Sequence, residues 1–317
     1  MDLNRQNSFG GIERIPQPTD YDLGSLLAPT YPDTFIPIYP LTIEDQEQIP
    51  DCGANAGVYL KEIIHNDTRL SVEYLWDKIK QIDNIVPQNG TTMDCIFKVL
   101  KSQGATTYQL LPTNSALSLT AFTDPSKITT KMDTEAQNHR ISAYAFIQSP
   151  TFEQLKQAIY TSKAVVMLLR VGDEWWTKNG VNTWNSSDLL PLRSTEPITS
   201  GHFVVAIGYD QNYIYFVNEW SSAWCGTGYG YFGLDYLPRC VEIGTAVDLT
   251  SAPYTFTQTL KIGNTGLSVK MLQIKLGITA DGIFGNKTLQ AVKDFQVKNG
   301  LVADGIVGAL TNAKLNL

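Results

Sequence analysis

The stretch DQEQIPDCGANA, residues 45–56, sets Cys52 ahead of a run of small, helix-compatible residues. A thiol in that setting can be a buried small hydrophobe. It can also be a nucleophile, since the N–H groups and dipole of a helix start favour thiolate and a neighbouring base can take the proton. Attack therefore needs a base. Of three histidines, His65 (IIHND) falls at a helix end and His139 (AQNHRIS) in a polar stretch, both settings of surface residues. His202 opens the strand-like run GHFVVAIGYD, where a side chain can face a cleft or be held as a hydrogen-bonded structural histidine. A base also needs an orienting acceptor. Asn218, in FVNEW, ends the next strand-like run, and Trp220 follows as a shield.

These residues must be positioned by regular elements. From Cys52 the pattern ANAGVYLKEII has helical period, and SVEYLWDKIKQI and TMDCIFKVLKSQG predict further helices, the last stopped by Gly104. After about Ala143 the pattern changes. SPTFEQLKQAIYTS predicts a capped helix, while AVVMLLRV, HFVVAIGYD, YIYFVNEW and TAVDL predict strands. The first 44 residues are rich in proline, which fixes φ and removes a donor, so they predict an extended arm that wraps rather than forms a core. The expected class is α+β.

The chain has 317 residues, 43% of them hydrophobic, enough for a large core and more than one domain. A net charge of -7 gives no basic field, so no nucleic-acid partner is expected. The average hides a split. From Tyr254 onward there are seven Lys and three Asp with no Arg or Glu, a net +4, which leaves -11 for the residues before it. The polar stretch TSAPYTFTQT, 250–259, coincides with this change and is expected to be the linker. No apolar run reaches the ~20 residues that span a bilayer, and the start MDLNRQNSFGGIERIPQP lacks the apolar core of a secretory signal. Cys52, Cys95, Cys225 and Cys240 are too scattered for a disulfide scaffold or a zinc site with close ligand pairs. With no nucleotide or metal motif either, no cofactor is expected. A reduced compartment fits, with a Cys225–Cys240 bridge left open.

In order and spacing these residues resemble the papain family of cysteine peptidases. That family places a Gln six residues before the nucleophile, a Gly-His at a strand start, and an Asn-x-Trp followed by a Trp and a Gly-rich turn. Here Gln46, Gly201-His202 and Asn218 in NEWSSAWCGTGYGYF supply them, over roughly residues 40–248. The resemblance implies a two-lobed fold, a helical lobe beside a β-barrel-like lobe, spanning 45–249. It further implies Cys52 as nucleophile, His202 as imidazolium partner, Asn218 as its orienter, and Gln46 with the Cys52 N–H as oxyanion donors. CGANA looks like the bacterial and viral branch with Cys-Thr-Ala-Asn-Ala. Several positions depart from the pattern. Ile49 replaces the upstream Cys, Gly53 replaces the aromatic after the nucleophile, Asp51 sets a negative charge beside the thiol, and Asn89-Gly90-Thr91 resembles a substrate-binding Asn-Gly-Gly edge without its second Gly. Trp220 is placed with that edge as a substrate-binding residue. The tryptophan-bearing loop 172–197 is expected to pack rather than to rim the cleft. The arm IERIPQPTDYDLGSLLAP resembles the short leader of the same branch; it is expected to pack on the β half, the alternative being a latch in the cleft.

Beyond the linker lies an internal repeat. Residues 272–288 (LQIKLGITADGIFGNKT) and 295–311 (FQVKNGLVADGIVGALT) align without a gap at an offset of 23. The Asp281-Gly282 and Asp304-Gly305 pairs predict tight turns. The patterns LxxGxxGxxVxxLQ, DGxFGxxTxxAVxxFQ and GLxxDGxxGxxT resemble the small all-α peptidoglycan-binding domain of wall hydrolases, here 260–317. That resemblance implies a core of Val269, Leu272, Leu276, Leu289, Val292 and Phe295, with Asp281, Asn286 and Lys287 placed to contact glycan or stem peptide. Together the two resemblances imply a cysteine endopeptidase acting at the bacterial cell wall, on protein or on peptidoglycan peptides. The polar start points to release by a partner or carriage in a phage particle. A peptidase fold that has lost activity and only binds the wall is the contrasting expectation.

Overall fold

The computed structural model describes residues 9–17, 22–27, 30–36, 42–65, 67–172, 175, 197–247, 259–265, 267–279 and 281–315. The expected linker lies almost wholly outside the described residues, as does loop 172–197 apart from Trp175 and its two ends.

Helix α1 (Cys52–His65) begins at the cysteine and is buried along most of its length. It packs against α2 (Val72–Lys80) and α3 (Met93–Ser102). Ser71 caps α2 by accepting from Tyr74 N, and the last turn carries Lys78 and Lys80 against the helix dipole. Two short helices, α4 (Leu119–Phe122) and α5 (Thr130–Ala136), complete the helical lobe.

The second lobe is a six-stranded antiparallel sheet of order β3-β8-β4-β5-β6-β7. Its strands are β3 (Ala143–Gln148), β4 (Val165–Val171), β5 (Ser200–Tyr209), β6 (Tyr213–Val217), β7 (Tyr229–Gly233) and β8 (Cys240–Val247). Helix α6 (Phe152–Ser162) covers one face, entered through the predicted cap, Thr151 with Gln154. The uninterrupted apolar run of β4 has a cause in this layering. Val166 and Leu168 pack with the helical lobe, whereas Val165, Met167 and Leu169 pack with α6, so both faces of the strand are buried.

Strands β3 and β7 are not singled out by the sequence. The composition of β7, YGYFG, has the glycine content of a turn, and pairing with β6 overrides it. The N-terminal arm also departs from expectation. Leu23 and Leu27 are buried in the core beneath β3, so part of the arm is core and not wrapping alone. Phe35 pairs with Tyr209 at the end of β5. His139 is not a free surface residue; it bridges Asp67 (2.8 Å) and Glu135 (2.6 Å). All four cysteines are free and buried.

Toward the C-terminus lie α7 (Leu267–Lys275), α8 (Asn286–Lys298) and α9 (Ala309–Leu315). Val269, Leu272 and Val292 are buried, with Leu276 and Leu289 packed on them. The repeat is duplicated atom by atom around two buried glutamines. Gln273 Nε2 donates to Asp281 Oδ1 (2.7 Å), Ile283 O (3.0 Å) and Thr288 Oγ1 (2.9 Å), while its Oε1 accepts from Gly282 N. Gln296 does the same with Asp304 (2.7 Å), Ile306 O (3.0 Å), Thr311 (3.0 Å) and Gly305 N. Gly282 and Gly305 both take the left-handed conformation, φ 76° and 75°, that the Asp-Gly turns require.

Candidate active site

Three elements converge on Cys52. The cysteine opens α1, His202 lies near the start of β5, and Asn218 follows the last residue of β6. Pairing of Val205 with Val217 sets β5 and β6 in the register that brings the last two together. His202 Nε2 lies 2.8 Å from Asn218 Oδ1, and all three residues are fully buried. The imidazole is enclosed by aromatic rings. Trp220 lies against it at 4.9 Å, and Phe9 and Trp175 meet it edge-on at 5.3 Å each.

Gln46 is also buried here. Its Oε1 accepts from Trp220 Nε1 at 2.9 Å and its Nε2 donates to Ile49 O at 2.6 Å. Trp220, expected at the substrate edge, is instead fully buried between His202 and Gln46 and fixes the positions of both. Its large ring has only one polar atom to satisfy, so it fills the space behind the imidazole and spends its N–H on the glutamine.

Electrostatically the site is dry. Burial, with the nearby Glu219, pushes the Cys52 thiol well above its usual range, against backbone N–H groups of Phe203 and Gly10 that favour thiolate. Burial likewise pushes His202 down to about 4, with the Asn218 contact opposing it. Thiol and imidazole are therefore both neutral in this state. Asp51, the acid that the sequence sets beside the thiol, is fully buried; burial raises its carboxyl well above the usual range, and it accepts from Asn55 Nδ2 at 3.0 Å. Glu219, between the motif residues Asn218 and Trp220, is raised in the same way. An acid at the end of an apolar strand is the signal that would have singled it out. Cys52, His202 and Glu219 form the group of possible metal ligands found among the described residues, with donor atoms within 4.8 Å of one another.

The exclusion of water has a visible cause. Residues Gly11–Ile12 form β1, parallel to β2 (Thr91–Thr92) at the expected substrate edge. Thr91 N donates to Gly10 O at 2.8 Å. The fit admits no side chain at either glycine, since a Cβ on Gly10 would lie 2.0 Å from Pro50 O and one on Gly90 1.9 Å from Gly10 O. Phe9 then covers His202 and Trp220. Arg14 anchors the segment through a buried ion pair with Glu242, at 2.5 Å. The arm thus combines both alternatives raised by the sequence. Its residues 22–27 and 30–36 pack on the β half, and its residues 9–12 lie in the cleft. The sequence signal for Phe9 is slight: it is the only aromatic before Tyr21.

Thr91 is buried against Gly53, and Gly90 takes φ 80° and accepts from Lys80 Nζ through its carbonyl. Asn89 is exposed on the short turn before them. Trp175, the described residue of the tryptophan-bearing loop, packs as expected, stacked on Trp224 and donating to Tyr236 Oη at 2.7 Å. In the C-terminal region, Asn286 and Lys287 line a cavity of about 790 Å³ with Thr279, Gln290 and Asp294. Asp281 borders it as well, but its Oδ1 is engaged by Gln273 and by Ile283 N.

The chain is similar to known proteins in both sequence and fold. Residues 53–243 match the papain family of cysteine proteases, and residues 266–315 match the peptidoglycan binding domain. Among solved structures the fold is similar to xylellain, a cysteine protease from Xylella fastidiosa, at 19% identity and a TM-score of 0.63, covering 78% of this chain and 99% of that one. It is also similar to a procathepsin B of Trypanosoma congolense, at 15% identity and a TM-score of 0.52, covering 76% and 83%. No curated protein matches by sequence. No helix among the described residues is long and apolar enough to cross a membrane. The family match spans more than half of the chain, from the residue after Cys52 through His202 and Asn218: the chain belongs to the papain family of cysteine proteases and carries a C-terminal peptidoglycan-binding domain.

Proposed function

We propose that the protein is an endopeptidase held at the bacterial cell wall, with Cys52 as nucleophile. His202 takes the thiol proton and returns it to the leaving amine, Asn218 orients the imidazole, and Gln46 with the Cys52 N–H receives the oxyanion. The observation that carries this reading is the 2.8 Å contact of His202 Nε2 with Asn218 beside a cysteine at a helix start. That contact fixes the ring and stabilises the imidazolium formed during acyl transfer. The oxyanion role asks the Gln46 amide to aim a hydrogen above Cys52, and Trp220 supports it by holding Oε1.

In the arm-covered state both reacting groups are neutral because water is excluded. Displacement of residues 9–12 frees the edge at Asn89, Gly90 and Thr91 for an extended substrate. It also rehydrates the cleft, which favours the thiolate–imidazolium pair. The C-terminal domain, through the cavity at Asn286 and Lys287, tethers the enzyme and raises its local concentration at wall substrates. Wall-associated protein is the first substrate class. The stem peptide or cross-bridge of peptidoglycan is the second, favoured by the wall-binding domain itself and by a lysin role after release by a partner or from a phage particle.

The test is digestion of purified sacculi and, in parallel, of a denatured protein mixture, comparing the intact enzyme with Cys52→Ala by mass spectrometry. New amino termini in protein alone support the first class; cysteine-dependent muropeptide amines support the second. No cysteine-dependent product in either, with the arm removed, leaves a wall-binding protein without activity.

A further inference from the structure

We propose that Cys52, His202 and Glu219 form a zinc-binding site, so that a thiophilic divalent cation reversibly silences the enzyme. The inference rests on the reading of Cys52 and His202 as the reacting pair and adds Glu219, for which the catalytic reading has no use. The sequence contains no metal motif because Cys52 stands 150 residues before His202 and 167 before Glu219; only the fold assembles the three.

Three observations carry the site. One sulfur, one ring nitrogen and one carboxylate oxygen lie within 4.8 Å of one another, all on fully buried residues. In tetrahedral zinc complexes, metal–ligand bonds of ~2.0–2.3 Å place donors roughly 3.3–3.8 Å apart, so a side-chain adjustment of about 1 Å closes the set. The carboxylate and imidazole donors are also unspent. Neither Glu219 oxygen has a hydrogen-bond partner, nor does His202 Nδ1. Glu219 Oε1 lies 3.2 Å from His202 Nε2, but that nitrogen makes its hydrogen bond to Asn218. Orphaned carboxylate oxygens in a dry interior are costly, and a bound cation is one way such atoms are satisfied.

The chemistry balances without a redox step. Thiolate, carboxylate and neutral imidazole meet a doubly charged cation to give a neutral buried centre, and the protons of Cys52 and Glu219 leave to solvent. Sulfur and imidazole donors select zinc over magnesium or calcium, which require oxygen ligands. The metal would occupy the nucleophile and the base together, so substrate hydrolysis stops until it is removed.

The experiment titrates the full-length, chelator-treated protein with Co²⁺ as the spectroscopic probe and then displaces it with Zn²⁺. Expected are a thiolate-to-cobalt charge-transfer band and intense tetrahedral d–d bands, both lost on Zn²⁺ addition, absent in Cys52→Ser and not reproduced by Mg²⁺. Glu219→Gln should weaken Zn²⁺ by at least about tenfold. Near-UV circular dichroism establishes that the variant is folded. A second measurement needs no variant: Zn²⁺ should protect Cys52 from iodoacetamide, and chelator should restore labelling. Equal Zn²⁺ affinity in folded Glu219→Gln, or no cobalt spectrum with no protection of Cys52, overturns the site. Metal-free hydrolysis of a peptide substrate is read separately, so failure of the metal site and failure of the peptidase reading are distinguishable.

Discussion

Gly53 and Thr91 fill one another's space. A Cβ built on Gly53 would lie 2.7 Å from Thr91 Cγ2 and 2.9 Å from Ile96 Cδ1. Taken singly, these residues are two departures from the family pattern, a missing aromatic after the nucleophile and a missing second glycine at the substrate edge. Together they are one compensated exchange, the larger residue on the edge occupying room beside a helix without a side chain. The two departures therefore belong to a single packing contact.

This pairing predicts coupling. Gly53→Ala overpacks the contact and should destabilise the protein by ~1–3 kcal/mol. Thr91→Ser removes the opposing methyl and should recover part of that loss in the double variant, with Ile96 retaining the remainder. A double-mutant cycle by denaturant unfolding measures it; strictly additive effects would show that the residues do not share the space.

The two parts of the arm should respond differently to deletion. Removing residues 1–12 withdraws Phe9 and Gly10 from the cleft yet leaves the Arg14–Glu242 pair intact, so peptide hydrolysis should rise. Removing residues 1–27 also takes out the buried Leu23 and Leu27 and should lower the melting temperature. Unchanged hydrolysis in the shorter deletion would show that the covering segment does not restrain the enzyme.

Asn218→Ala should lower kcat/KM by roughly 10–100-fold, the consequence of a lost contact and an unpaired buried group worth ~1–3 kcal/mol. Trp220→Phe keeps most of the ring but removes the donor to Gln46 Oε1, and a smaller loss is expected. Steady-state kinetics on the arm-deleted enzyme reads both. If Asn218→Ala costs nothing, the imidazole is held by its aromatic neighbours alone.

Glu62 gives a pH signature remote from the cleft. Burial raises its carboxyl from 4.5 to about 8, although Leu70 N donates to Oε1 at 2.7 Å. Between those values the folded protein holds a proton that the unfolded chain has released, so this group's contribution to stability falls as pH rises through that window. Glu62→Gln keeps an acceptor oxygen for Leu70 and cannot ionise. Its stability should equal that of the parent near pH 4 and exceed it by up to a few kcal/mol at pH 8, since each unit is worth ~1.4 kcal/mol. Urea unfolding at the two pH values checks the sign.

In the C-terminal domain, Gln273→Ala removes three donated bonds and one accepted bond from a buried turn. A loss of several kcal/mol from that domain is expected, and Gln296→Ala should match it because the partners are duplicated. Calorimetry of the full chain reads the domain's transition.

The residue types and spacings of Gln46, Cys52, His202 and Asn218 were determined by the sequence, as were the helical period of α1, α2 and α3, the cap of α6 and the 23-residue repeat. These are local properties, carried by periodicity and short motifs that stay the same wherever the segment packs. Only the tertiary structure decided that Trp220 packs between Gln46 and His202, that Asp51 is buried with its carboxyl pushed above the usual range, that Gly53 answers Thr91, and that Phe9 covers the imidazole. It also decided that Glu219 stands with Cys52 and His202. Each of these depends on side chains brought together across tens to hundreds of residues, where burial sets both contact and charge state, and no local pattern records which distant group will exclude the water.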